Sequence, residues 1–279
     1  MEIPPTNPPT SNPQAPSIFE PGTSIKINAD DRSLSFTISR CFTPITKSVV
    51  LLAHNDEFSR SPVIIKIFDE EVAARALESR GAPLPVDSFG SSELRDPEPE
   101  EPEGRAARAA LWEEYYYALM VESFESERSA YEALHTLQGT FLPRLLLTGL
   151  IDFSDSRAIH PPAVVLEYIS GVTLRDIEPN LLSLDVCAPL VSCIDSFVEF
   201  GVFHGDINPG NIIFQPAERP VRAVVLDFGC AGVKVEGEDE DTWLFTVNFL
   251  GDSTRIRTYL REKGIHIPDL PEPDLSHMN

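Results

Sequence analysis

The residues best suited to chemistry lie in one run, His204-Gly205-Asp206-Ile207-Asn208-Pro209-Gly210-Asn211-Ile212-Ile213-Phe214. A carboxylate, Asp206, and a carboxamide, Asn211, stand either side of the turn formers Pro209 and Gly210, and an apolar β pattern follows them. A second carboxylate comes soon after: Ala223-Val224-Val225-Leu226 is an apolar β run that ends on Asp227-Phe228-Gly229. Side-chain oxygens of this kind suit a hard divalent cation. The cysteines do not compete for that role, because Cys41, Cys187, Cys193 and Cys230 have neither zinc-site nor disulfide-framework spacing and read as reduced, mostly buried thiols.

The elements that must hold these loops can be read from periodicity. Leu34-Ser35-Phe36-Thr37-Ile38 alternates, Thr43-Pro44 breaks the pattern and Val49-Val50-Leu51-Leu52 resumes it, which predicts a β-hairpin with no glycine in its turn. Pro62-Val63-Ile64-Ile65-Lys66-Ile67-Phe68 predicts a strand in which Lys66 shares a face with Ile64 and Phe68, unusual for a solvated lysine. An edge-strand charge that discourages aggregation is the alternative.

Apolar spacing predicts a helix over 106–120 and a second over 124–137, in which Glu127 falls on one face with Ala130, Tyr131, Leu134 and Leu137. A glutamate on an apolar face needs a partner, because burying its charge alone is costly; a partly exposed helix glutamate is the alternative. A return strand is expected from 141, and Ala163-Val164-Val165-Leu166-Glu167-Tyr168-Ile169 predicts a further strand. Thr173-Leu174-Arg175-Asp176 reads as the start of a short helix. Cys187, Leu190, Val191, Ile194, Phe197 and Val198 then mark a helix stopped by Gly201, which delivers the chain to the loop at 204.

The formal charge is −22 and the pI about 4.5, which argues against sequence-independent binding to nucleic acid or to an anionic membrane, both driven by lysine and arginine. The acidic runs at 93–103 and 236–241 read as solvated loops, with an acidic recognition segment as the alternative. Residues 1–25 are proline-rich and are expected to be disordered, and 81–105 reads as a flexible acidic insertion. With neither a secretory signal pattern nor an apolar run of membrane-spanning length, the expected location is the cytoplasm or nucleus.

Taken in order, the lysine strand, glutamate helix, apolar strand, H-x-D-x-x-x-x-N loop and D-F-G turn resemble the motifs of protein kinases and related small-molecule phosphotransferases. The resemblance spans about 33–262 and is concentrated in 63–68, 124–137, 163–171 and 204–229. It implies an α+β, two-lobed fold: a disordered tail at 1–25, a small antiparallel-sheet N-lobe at 26–169 containing the insertion, an abbreviated, mostly helical C-lobe at 170–270, and a tail at 271–279. It also implies ATP and Mg²⁺ as cofactors. Under it Asp206 orients the attacking hydroxyl and accepts its proton, and Asn211 and Asp227 hold Mg²⁺. Lys66 contacts the phosphates and pairs with Glu127, while Glu167, Tyr168 and Ile169 form the adenine-binding hinge. His204 is implied to be a structural hydrogen-bonding residue.

Departures from the pattern narrow the reading. The hairpin has no glycine-rich loop over the phosphates, Gly205 stands where regulated protein kinases often carry arginine, and Asn208 stands where serine/threonine kinases usually place lysine. Only 52 residues follow Asp227, with no A-P-E segment. The H-G-D-x-x-P-G-N form is similar to aminoglycoside and choline-type phosphotransferases and to compact kinase-like proteins of fungi. The implied activity is transfer of the ATP γ-phosphate to a hydroxyl acceptor on a protein or small molecule. The competing reading is a pseudokinase, an ATP-binding or protein-interaction scaffold.

Overall fold

The computed structural model describes residues 17–43, 45, 48–69, 71–72, 101–153 and 159–268. The chain divides into two compact units, Met1–Glu122 with Leu147–Leu166, and Ser123–Leu146 with Glu167–Asn279. The architecture is α+β, with strands dominating the first unit and helices the second.

In the first unit, strands β1 (Ser24–Ala29), β2 (Arg32–Phe42), β3 (Val49–Asn55), β4 (Ser59–Ile67), β5 (Leu145–Asp152) and β6 (Pro162–Glu167) close into a barrel in the order β1-β2-β3-β4-β6-β5. The expected hairpin is β2 with β3, antiparallel and in a register that pairs Phe42 with Val50; Pro44, Thr46 and Lys47 of its turn lie outside the described residues. Closure comes from β1, which pairs antiparallel with both β2 and β5. This corrects the expected tail. Its residues up to 16 lie outside the described ones, but Ser17–Phe19 forms a 3₁₀ turn, Phe19 is fully buried against Phe153, and Ile25, Ile27 and Ala29 alternate into the barrel core. Neighbouring prolines do not prevent a six-residue alternating segment from pairing once a sheet edge is available to it.

The two helices expected over 106–137 are one, α1 (Pro102–Ala133), followed by a 3₁₀ turn at His135–Leu137. Val121-Glu122-Ser123 contains neither glycine nor proline, so nothing interrupts the helical ladder between them. The expected acidic insertion lies outside the described residues up to 100, and its end is the first turn of this helix.

The second unit contains β7 (Val172–Thr173), α2 (Leu184–Ser196), β8 (Val202–Phe203), β9 (Ile212–Gln215), β10 (Arg222–Val225), β11 (Gly232–Val233), α3 (Glu240–Leu250) and α4 (Asp252–Glu262). The short helix expected after Gly171 is instead a turn closed by Thr173 Oγ1 donating to Asp176 Oδ2 at 2.6 Å, because residue 173 is held in β7 against β9. α2 passes through a 3₁₀ turn, Phe197–Phe200, and stops at Gly201 with φ +65°, as its sequence predicts. The apolar segment at 243–247 is helical, in α3. α2 and α4 are tied by a buried bidentate ion pair, Arg257 Nη1 to Asp195 Oδ1 at 2.8 Å and Nη2 to Oδ2 at 2.7 Å. That pair fixes the helix whose first residue, Asp252, reaches the chemical loop. None of the four cysteines is in a disulfide, and Cys187 and Cys193 are buried while Cys230 is exposed.

Candidate active site

The run from His204 to Asn211 connects β8 to β9, and its shape follows from side chains bonding to their own backbone. Asn208 Oδ1 accepts from the Gly210 N–H at 2.9 Å, an Asx turn that bends the chain at Pro209-Gly210. Asn208 Nδ2 donates to Asp206 Oδ2 at 3.2 Å, and Asn211 Nδ2 donates to the same oxygen at 3.3 Å and to the Asp206 carbonyl at 3.0 Å. Two amides therefore hold one carboxylate oxygen. Among the described residues no hydrogen bond reaches Asp206 Oδ1 or Asn211 Oδ1, so each presents an acceptor whose direction its partner atom has already set.

A long-range clamp secures the start of the loop. Asp252 Oδ2 accepts from the backbone N–H of His204 at 2.6 Å, and Oδ1 from that of Gly205 at 3.2 Å. Asp252 is at the N-terminus of α4, where the helix dipole favours its negative charge. Gly205 has φ +75°, and a Cβ there would come within 2.4 Å of the Cys230 carbonyl oxygen, so only glycine fits. His204 is fully buried. Its Nδ1 faces the Asp206 N–H at 3.2 Å and its Nε2 the Leu226 carbonyl at 2.9 Å; since a backbone N–H donates to Nδ1, the proton belongs on Nε2. That ring thus joins the loop to the segment carrying Asp227. A second tie is the Leu226 N–H donating to the Asn211 carbonyl at 2.8 Å.

Asp227 turns the chain with φ +66°, a left-handed conformation that aspartate tolerates better than most residues. It is exposed, whereas Phe228 is fully buried, its ring 4.6 Å from His204, 5.8 Å from Phe197 and 5.5 Å from Tyr131. Burial, with the charges of Glu127, Asp227 and Glu167, holds the Tyr131 phenol well above its ordinary pKa.

Residues 158–258, about a third of the chain, match the ABC1 atypical kinase-like domain. That segment carries the clamped loop, the D-F-G turn and Asp252. That segment is atypical-kinase-like. The chain is also 28% identical to casein kinase II subunit alpha' of Saccharomyces cerevisiae over 96 residues, 33% of this chain and 28% of that one. Similar solved structures include the Rio2 kinase–ADP/Mg²⁺-phosphoaspartate complex from Chaetomium thermophilum (17% identity, 88% of this chain, 59% of that chain, TM-score 0.48). Another is the PknI kinase domain of Mycobacterium tuberculosis (15% identity, 73% of this chain, 62% of that chain, TM-score 0.38). The chain spans less than two thirds of the length of each of these three.

The other candidate residues fall as follows. Lys66 is in the first unit, on β4 between β3 and β6, 7% exposed with Nζ 5.3 Å from the Phe68 ring centre, so it is not an edge-strand charge. Glu127 is in the second unit and fully buried, which removes the reading as a partly exposed helix glutamate. Glu167 Oε2 accepts from the backbone N–H of Arg144 at 3.2 Å and from its Nη1 at 3.3 Å, and the Glu167 N–H donates to the Arg144 carbonyl. The backbone N–H of Glu167 is therefore already engaged, while Tyr168 is half-buried and Ile169 buried. Asp206, Asn208 and Asn211 are brought into one hydrogen-bonded group.

Two contributors went unrecognised as such in the sequence. Asp252 belongs to no motif, although Asp252, Ile256 and Leu260 at i, i+4 and i+8 mark a carboxylate on a buried face, the signal in the sequence that points to it. Asn208 was noted only as a departure from lysine, and its two-sided bonding to Asp206 and Gly210 appears only in three dimensions.

Proposed function

We propose that the chain is an ATP- and Mg²⁺-dependent phosphotransferase that moves the γ-phosphate to a hydroxyl acceptor on a protein or small molecule. The observation that carries this is the pairing of a half-occupied carboxylate with a half-occupied carboxamide. Asp206 and Asn211 bond each other through one atom apiece, leaving Oδ1 of each to face a reactant. Mg²⁺, when bound, would neutralise phosphate charge and bring the reacting groups together.

Asn211 Oδ1 and the Asp227 carboxylate are oxygen donors of the type Mg²⁺ takes, and two protein ligands are enough for an ion that keeps waters and phosphate oxygens as its others. Asp206 Oδ1 accepts the hydrogen bond of the attacking hydroxyl and takes its proton as the new bond to the γ-phosphorus forms and the bond from that phosphorus to the β–γ bridging oxygen breaks, releasing ADP. Asn208 and Asn211 stabilise the carboxylate in the orientation that receives it. Lys66, buried on β4, supplies a positive charge for phosphate, Glu127 is the buried carboxylate of α1, and Glu167, Tyr168 and Ile169 border the adenine. With the Glu167 N–H engaged, adenine recognition in that segment falls to the following residues.

A second reading, a pseudokinase that binds nucleotide or partners without turnover, is favoured by one feature: the β2–β3 connection contains no glycine and so lacks the usual means of close backbone approach to phosphate. Transfer of label from γ-labelled ATP to protein and small-molecule pools separates the two. The enzyme reading expects transfer that Asp206→Asn reduces by at least about a hundredfold, the usual weight of a general base, with nucleotide binding retained. Binding without transfer establishes the pseudokinase, and transfer untouched by Asp206→Asn removes Asp206 from the mechanism.

A further inference from the structure

Tyr131 is on the buried face of α1 with Glu127 and Ala130, and all three are fully buried, as is Leu134 just past the end of the helix. Its ring packs edge-to-face on Phe228, at 5.5 Å and 65°, next to the turn that carries Asp227. That packing accounts for an aromatic ring there, and phenylalanine would supply it equally. The hydroxyl is another matter: it is buried and has no hydrogen-bond partner among the described residues. An unsatisfied buried hydroxyl is destabilising, a cost that phenylalanine at the same position would avoid. Packing alone therefore gives no reason for the oxygen.

Its surroundings suggest what the oxygen is for. The nearby charges that act on this phenol are all carboxylates, on Glu127, Asp227 and Glu167, and together with burial they keep it protonated at neutral pH. A protonated phenol is a hydrogen-bond donor, and the charged groups that act on this one are all acceptors. Buried polar groups that lack a direct partner are regularly satisfied by an enclosed water.

We propose that Tyr131 is a positioning residue for the metal-holding carboxylate: its hydroxyl donates through one enclosed water to Asp227 and sets the orientation in which Asp227 receives Mg²⁺. The role rests on the phosphotransferase reading above. It joins two functions in one side chain, since the ring fixes Phe228 and the hydroxyl fixes the residue before it. The effect of losing the hydroxyl should thus appear in the metal requirement and not in the fold.

The test is a titration of Mg²⁺ at fixed fluorescent ATP analogue, on the full chain and on Tyr131→Phe, with thermal unfolding measured without ligand. The expected result is an unfolding temperature equal to or above that of the unsubstituted chain, a Mg²⁺ concentration for half-maximal binding about tenfold higher, and unchanged binding of the analogue in excess chelator. A merely structural tyrosine would move the unfolding temperature and leave the metal requirement alone. In an Asp227→Asn background, Tyr131→Phe should have no further effect on the metal requirement, and additive effects would overturn the proposal. So would a metal requirement for Tyr131→Phe within twofold of the parent, with the phosphotransferase reading intact. If the unsubstituted chain shows no Mg²⁺-dependent nucleotide binding, that reading fails, and this role with it.

Discussion

Replacing Asp252 by asparagine tests whether the loop is held from a distance. The carboxylate, 8% exposed, accepts at 2.6 Å from the N–H of the fully buried His204 and at 3.2 Å from that of Gly205. Asparagine has nearly the same shape but one acceptor oxygen. Placed to serve His204, it turns an N–H₂ toward the Gly205 N–H, donor against donor. The loss of one hydrogen bond to a charged group is about 1.5–3 kcal/mol, and loss of the negative charge at the start of α4 adds about 0.3–1 kcal/mol. Asp252→Asn should therefore destabilise the second unit by about 2–4 kcal/mol. Urea unfolding followed by the fluorescence of Trp243 measures it, since that side chain is buried in the same unit with its ring 5.5 Å from Phe203, and a Trp112→Phe background leaves it as the single reporter. The same variant should bind Mg²⁺·ATP about tenfold more weakly, because Asp206 and Asn211 follow the displaced residues directly. A change in stability below about 0.5 kcal/mol together with unaltered nucleotide affinity would refute the clamp.

Gly205→Ala should lower stability by at least about 1–2 kcal/mol, the cost of placing an L side chain at φ +75°, with more from the 2.4 Å approach to the Cys230 carbonyl, and should slow phosphoryl transfer in parallel. An alanine variant with parental stability and rate would show that the turn is not as tight as described. Burial pushes the Cys187 thiol up to about 11 and that of Cys193 to about 12, against an ordinary value near 9. The folded chain then keeps protons that the unfolded chain loses, so these thiols contribute their full stability below about pH 9 and lose it as the pH rises toward 11–12. Stability measured from pH 8 to 11 should consequently fall less steeply in Cys193→Ala than in the parent, by up to about 1.4 kcal/mol per pH unit, and identical slopes would contradict the burial of that thiol. At pH 8 a thiol reagent should modify the exposed Cys230 well before Cys187 or Cys193.

What the sequence determined by itself was local. The turn at Pro209-Gly210, the stop at Gly201 and the alternation of β2, β3 and β4 depend on residues within a few positions of one another. Spacing along the chain is enough to predict such features, because the backbone brings near neighbours together whatever the rest of the fold does. The unbroken run of α1 was equally local, although the expectation divided it. Tertiary structure decided the remainder. Asp252 reaches a backbone 48 residues away, β1 closes a barrel by pairing with a strand from beyond α1, and Phe228 meets Tyr131 from a different element. A carboxylate at a helix start, a short alternating segment beside prolines and a tyrosine on an apolar face each have an ordinary local explanation. Which of them becomes a clamp, a barrel wall or a buried donor depends on what the folded chain packs against it, and no spacing within the element encodes that.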